Sequence, residues 1–465
     1  MKNIKLCYIG GGSKMWARIF MSDLALADGL SGEVALYDID IIAAKRNEII
    51  GNKIKDNPKA LSKFTYKVYE KLEDALKGSD FVIISILPGT FDEMESDVHA
   101  PEEYSIYQSV GDTVGPGGVL RAMRTVPIYE GFAKAIKEYS PNAWVINLTN
   151  PMTILTRTLY DVYPAIKAFG CCHEVFHAEQ LLCRVLKELK GINVTRKDID
   201  VDVSGINHFT WIDEAHYKDI DILKLLPEFM DKFEDGGYYE EGDDIYKFKY
   251  DPFAYGNNVK FDLFKRYGVL AAAGDRHLAE FCNNKWFLGS PKMVKDYHFN
   301  LTTVDYRRQD QKKKIEETIL MAQGKKEFEL IKSAEELVDL IKALLGFGDI
   351  KSNVNYPNKG QVEGLLDNSI VESNCIFKEN EIIPIKANKL PLGVFNLVNR
   401  NSINIETCYK GIKMRNLDII FESFINQPLC SNLTIKEAKD LFKKMCYNTR
   451  DYLDPYFDLD NYFNK

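Results

Sequence analysis

Residues 4–9 form a short β-type run that meets Gly10-Gly11-Gly12-Ser13, and residues 15–26 follow with helical periodicity. Strand, glycine turn and helix in that order open a Rossmann-type unit, and they commit the chain to a parallel sheet whose faces are covered by helices. Glycines at such a turn let the backbone approach a pyrophosphate at the helix N-terminus. The next run, residues 33–37, ends in Asp38, 26 positions beyond Gly12. A carboxylate at that distance grips the adenosine ribose hydroxyls and repels a 2′-phosphate, which favours NAD over NADP. The third glycine of G-x-G-x-x-G would fall at Met15, so taken alone the stretch also reads as an ordinary strand-to-helix turn.

The α/β rhythm continues. Residues 64–69 read as a strand, and residues 80–86 are an unbroken apolar strand ending in Leu87-Pro88-Gly89, with Pro88 expected in a loop over the nicotinamide side. Residues 111–118 form a glycine-dense loop feeding a helix with Arg121 and Arg124, a combination suited to close approach by an anionic or polyhydroxyl ligand. A plain flexible loop reads the same way. After a strand at 143–148, Asn150 stands where a strand-end side chain reaches the ligand crevice, although an Asn-Pro pair is also ordinary helix-start chemistry. A last strand at 166–170 runs into Cys171-Cys172-His173-Glu174-Val175-Phe176-His177. Thiolate and imidazole are ligands for a borderline divalent metal such as Zn²⁺, and a Glu beside them can orient a substrate or move a proton. The plainer alternative makes Cys171 a small buried hydrophobe and His177 the polar edge of a helix.

Beyond a helix at 174–189 the rhythm changes. Antiparallel-type strands at 199–203 and 209–212 flank a turn carrying His208, and an acidic segment at 234–244 reads as a surface loop or lid. Small residues crowd ahead of Asp275-Arg276-His277, which suits a tightly approached pocket or a salt-bridged turn. Helices are expected at 308–324 and 333–346, a polar turn at 353–360, short strands at 369–374, 376–379 and 382–386, and helices at 390–426 and 434–451. The expected fold is α/β: a Rossmann NAD-binding domain over 1–175 and a mixed α+β domain over 176–465 for substrate, metal and oligomer contacts. With 465 residues and 45% hydrophobic content, the chain is long enough for such domains. A net charge of −8 without a Lys/Arg-rich block argues against nucleic acid and anionic membrane surfaces as partners. No apolar run reaches the roughly 20 residues of a membrane span. The N-terminus runs straight into the first strand without a cleavage site, and nine cysteines lack a framework spacing, so a cytoplasmic protein with reduced thiols is expected.

Together, Gly10-Gly11-Gly12-Ser13, Asp38, the Thr113-Val114-Gly115-Pro116-Gly117-Gly118 loop with Arg121 and Arg124, Thr149-Asn150-Pro151, Cys172-His173-Glu174-Val175 and Asn207-His208 resemble family 4 glycoside hydrolases. That family looks like a lactate/malate dehydrogenase in fold but cleaves glycosides with NAD⁺ and a divalent metal, usually Mn²⁺. The resemblance implies oxidation at sugar C3, removal of the acidified C2 proton, departure of the C1 leaving group, addition of water and return of the hydride. It implies Cys172 and His208 as metal ligands, Asn150 and Arg121 on the sugar, and His173 or Glu174 near the leaving group. For the base it implies Asp275, with Tyr255 and Tyr267 in reserve. Cys-His-Glu-Val resembles the α-galacturonidase branch, whose uronate needs a cation near C6, and Arg276 is the candidate. Relatives are usually homodimers or homotetramers. The alternatives are an α-galactosidase or α-glucosidase of the same family, a plain NAD-dependent 2-hydroxy-acid dehydrogenase, and a nucleotide-binding sensor without activity.

Overall fold

In the computed structural model of the chain, residues 1–233, 236–239 and 251–464 are described. Six strands run parallel: β1 (Lys2–Ile9), β2 (Leu30–Tyr37), β3 (Lys63–Tyr69), β4 (Phe81–Ile84), β5 (Trp144–Asn147) and β6 (Lys167–Gly170). Their spatial order is β3-β2-β1-β4-β5-β6, so the winding reverses between β1 and β4 and leaves a crevice beyond the carboxyl ends of those strands. Alternation along each strand explains why both faces are covered. Leu6 and Tyr8 join Phe81, Ile83 and Trp144 in one buried cluster, whereas Cys7 and Ile9 join Val82, Ile84 and Val145 in another. The helices Trp16–Leu26 and Leu337–Leu344 cover the first, and Gly115–Tyr139, Leu392–Lys413 and Ile435–Asn448 cover the second.

Seven further strands extend the sheet: β7 (Asp200–Ile206), β8 (Phe209–Tyr217), β9 (Ile220–Asp221), β10 (Leu270–Ala271), β11 (Ile350–Pro357), β12 (Ile370–Lys378) and β13 (Glu381–Pro384). They pair antiparallel, and β11 joins β6 through Asn355 opposite Gly170. One row of paired positions then crosses the junction, running Asn147, Gly170, Asn355, Glu372, Gly205. Polar residues in a buried row are costly without partners, so this seam is where a function is to be sought. The helix Glu174–Lys190 leaves β6 and packs Val175, Leu181, Leu182 and Val185 against Val201, Val203 and Ile212.

The α/β fold matches the expectation, and three local readings change. Gly115, Gly117 and Gly118 lie inside the helix Gly115–Tyr139. A Cβ on Gly117 would meet the Gly111 and Asp97 carbonyl oxygens at 2.7 and 2.8 Å, so close packing, and not loop freedom, requires glycine there. The polar stretch 353–357 belongs to β11, because its amides bond inside the sheet: Asn353 Nδ2 donates to Glu372 Oε1 at 2.8 Å. The short strands at 369–374 and 376–379 are the single strand β12. The segment read as a lid falls largely outside the described residues.

Candidate active site

The glycine turn is shaped by close approaches. Gly10 has φ +98°, and any Cβ would overlap the Ser85 carbonyl at the end of β4. Gly12 N–H donates to Asp38 Oδ2 at 2.7 Å and Asp40 N–H to Asp38 Oδ1 at 2.8 Å, which fixes the carboxylate beyond β2. Ser13 Oγ accepts weakly from Met15 N–H and Ala17 N–H, both at 3.4 Å. Sequence reading overlooked Asn47, a buried amide that donates to the carbonyls of Gly11 and Ser13 at 2.8 Å each and so pins the turn from beneath. Pro88 is buried in the loop after β4.

Beyond β6 the chain delivers Cys172, His173 and Glu174. The Glu174 carboxylate is a hub: Oε2 accepts Gly274 N–H at 2.7 Å, and four of the chain's 7 histidines surround it. Burial raises its pKa, but His277, His173, His208 and His177 together outweigh burial and hold it well below the usual carboxylate range. His173 has Nδ1 3.1 Å from Glu335 Oε1, and its ring lies 5.8 Å from that of Trp16 on the first helix. The Cys172 thiol is buried; burial, then Glu372 and Glu174, push its pKa well up, while the Asn207 amide opposes them.

The densest group of metal-type ligands is one the sequence only partly indicated. Donor atoms of Asp112, His208 and His277 lie within 4.8 Å of one another. His208 has φ +62° in the two-residue connection between β7 and β8, a left-handed position that aims its ring inward. Thr113 Oγ1 is 2.7 Å from Asp112 Oδ1 and 2.9 Å from His208 Nδ1. A hydroxyl has one proton and an ionised carboxylate can only accept, so Thr113 donates to Asp112 and accepts from His208 Nδ1–H. That leaves the His208 Nε2 lone pair bare, the tautomer a metal requires. The His277 ring lies over His208 with centroids 3.8 Å apart, and its buried Nδ1 has no partner among the described residues. Burial raises the Asp112 pKa, but Arg121, His277 and His208 win and hold it at about 2. Burial, then His277, lower His208 to about 3. One carboxylate and two neutral imidazoles suit a divalent cation. The Cys172 thiol is not in this trio; the Glu174 charge acts on it and on the two histidines alike. Asp112 and His277 were in stretches singled out from sequence; the missed signal was the gathering of histidines, which only topology reveals.

The remaining predicted residues fall around this corner. Asn150 Oδ1 is buried without a partner among the described residues, and Arg121 Nε donates to the Asn150 carbonyl at 3.0 Å. An orphaned buried amide oxygen beside the crevice fits a hydroxyl ligand. Asp275 is fully buried; Oδ1 accepts Lys260 N–H at 3.0 Å, Oδ2 has no partner among the described residues, and burial pushes the carboxyl up to about 6. The Tyr255 ring stands against Gly274, whereas Tyr267 packs on Trp211 and Gly393. Arg276 Nε donates to Asn300 O at 3.3 Å, and a terminal nitrogen donates to Ser109 O and Thr302 Oγ1.

A doubly wound sheet with a dinucleotide-type turn, and beside it a carboxylate and imidazoles grouped as cation ligands, define a dinucleotide-fold enzyme with a candidate metal site. Residues 5–188 match the family 4 glycosyl hydrolase profile and residues 203–430 match that of its C-terminal domain, so the chain belongs to the family 4 glycosyl hydrolases. An α-galacturonidase of Thermoanaerobacterium saccharolyticum is 52% identical over 97% of each chain. The solved structure of lplD from Bacillus subtilis is 45% identical and superimposes with TM-score 0.90 over 96% of this chain and 100% of that one. A 6-phospho-α-glucosidase from gut microorganisms, solved with NAD and Mn²⁺, has the same fold at 20% identity and TM-score 0.79, over 97% and 99% of the two chains.

Proposed function

We propose that this family 4 enzyme is an α-galacturonidase that removes a terminal galacturonate by oxidation at C3, elimination, addition of water and re-reduction. The observation that carries the reading is that a nucleotide-type turn after β1 and the Asp112–His208–His277 corner, which takes His208 from the β7–β8 connection, are built on one sheet, a pairing that hydrolysis by two carboxylates does not need. The name of the 52% identical relative supports the sugar.

When bound, NAD would accept and return the C3 hydride, and a divalent metal such as Mn²⁺ would polarise the C2 and C3 oxygens. Gly10, Gly11, Gly12, Ser13 and Asp38 would hold the dinucleotide, with Pro88 on the nicotinamide side. His208 would hold the metal with Asp112 and His277, and Cys172, outside that trio, is the further ligand proposed. Burial with Glu372 and Glu174 nearby keeps the Cys172 thiol protonated, and a cation is the charge that lets it ionise. Asn150 and Arg121 orient sugar hydroxyls. Asp275, lifted to about 6, is a better base near neutral pH than an ordinary Asp, and Tyr255 is the second candidate. His173, braced by Glu335, and Glu174 serve the leaving group. A cytoplasmic homodimer or homotetramer completes the reading; the nine cysteines are free, and no helix among the described residues is long and apolar enough to cross a membrane.

A panel of 4-nitrophenyl glycosides with and without NAD⁺ and Mn²⁺ tests this. Cleavage of the α-galacturonide should require both and accumulate no NADH. Turnover that survives removal of both ends the mechanism, net NADH formation points to the plain dehydrogenase, and preference for the α-galactoside or α-glucoside replaces the substrate.

A further inference from the structure

A uronate must be told from a neutral sugar by its carboxylate, and the arginine the sequence suggested is engaged elsewhere. Arg276 donates to Asn300 O, Ser109 O and Thr302 Oγ1, tying three backbone segments together, which leaves its fork little to offer a ligand. Arg307 is in the opposite condition. It lies in the first turn of the helix Val304–Ala322, half-buried, with its guanidinium 5.6 Å from the centroid of the Phe253 ring that Arg276 also approaches at 4.9 Å. Its side chain makes no hydrogen bond or ion pair with any described residue.

The acids around it are engaged by other groups. Arg121, Arg276 and Arg307 gather round Asp112 and Glu280. Glu280 accepts the N–H groups of Val110 and Gly111 at 2.7 and 3.0 Å, and Asp112 Oδ1 accepts the Thr113 hydroxyl at 2.7 Å. Asp310, the nearby acid on the helix of Arg307, is bonded by Lys314 at 2.6 Å. Each of these acids thus has a hydrogen-bond donor other than Arg307. An unpaired guanidinium on an aromatic face offers the planar fork that a carboxylate fits.

Resting on the galacturonide reading, we propose that Arg307 is the specificity-determining residue, its free N–H groups taking the C6 carboxylate of the sugar while Arg276 braces the pocket wall. The test measures kcat and KM of the wild type, Arg307→Gln and Arg307→Lys with NAD⁺ and Mn²⁺, on 4-nitrophenyl α-galacturonide and the neutral α-galactoside, with inhibition by free galacturonate. Arg307→Gln should raise the galacturonide KM and the galacturonate inhibition constant by roughly 10²–10³-fold, leave kcat little changed, and spare or improve the galactoside. Arg307→Lys should recover part of the loss, and it carries the comparison if the Gln variant fails to fold. A wild type that does not cleave the galacturonide overturns both the functional reading and this assignment. Cleavage by the wild type with an unchanged KM in folded variants, or with equal loss on both sugars, overturns the assignment and leaves the reading standing.

Discussion

The glycine turn and the Asp112–His208–His277 corner meet the same sheet yet are built in opposite ways. The turn is local and made of backbone: Gly10 to Ser13 are consecutive, and Gly10 is fixed because a Cβ has no room beside Ser85. The corner is assembled from residues 112–113, 172–174, 207–208 and 274–277, and bonds that each involve at least one side chain join those segments. A site made of backbone geometry fails by losing its fold, whereas one made of converging side chains fails by losing its chemistry. The neutral imidazoles, the orphaned His277 Nδ1 and the left-handed His208 all cost stability and persist because the surrounding sheet holds them.

The largest effect expected lies on the chemical side of that contrast. His208→Gln and Cys172→Ser should each lower kcat/KM on the α-galacturonide by about 10⁴-fold, roughly 5 kcal/mol of transition-state stabilisation. Thermal unfolding followed by circular dichroism should shift by only a few degrees, because neither side chain makes the main contacts of the core. A variant that loses activity only by unfolding would break the comparison. Next in size is Gly10→Ala, where a positive φ and a backbone clash should destabilise the protein by about 3 kcal/mol. Denaturant unfolding reads that loss, and an unchanged midpoint would mean that the turn tolerates a side chain.

The same contrast decides what could be read in advance. Strand, turn and acid at Gly10 to Asp38 are set by sequence neighbours, so their structure follows from local pattern. Cys172, Glu174 and His208 were legible because each ends an apolar strand or interrupts a hairpin with an unusual polar group. Asp112 and His277 stood in stretches already marked, but nothing local says that a loop before one helix meets a residue 165 positions later. Asn353 to Pro357 misled because asparagines usually mark turns, and here a buried carboxyl, Glu372, receives one of their amides inside a sheet. Arg276 misled differently: the sequence offered it as the cation for the uronate, but in the fold its donors go to two backbone carbonyls and the Thr302 hydroxyl.

The smallest effect sharpens the comparison through pH. Glu280 holds the backbone in front of Asp112, and its folded pKa of about 8 stands above the 4.5 of an ordinary Glu. Between those values the folded protein keeps a proton that the unfolded chain has released. Stability from this group therefore falls as pH rises through the window, by at most about 1.4 kcal/mol per pH unit, and levels off above about 8. Glu372 and Glu179, each raised to about 7 by burial, act with the same sign and leave a residual slope. Glu280→Gln keeps an oxygen for the Val110 and Gly111 N–H groups but has no proton to lose. Its unfolding midpoint should vary less between pH 6 and 8.5 than that of the wild type, and equal slopes would remove Glu280 as the source. The Gly10→Ala loss should stay constant over the same range, because a clash with a carbonyl has no proton in it. A pH-dependent loss there would tie the turn to the acids of the corner and erase the division between backbone and side-chain sites.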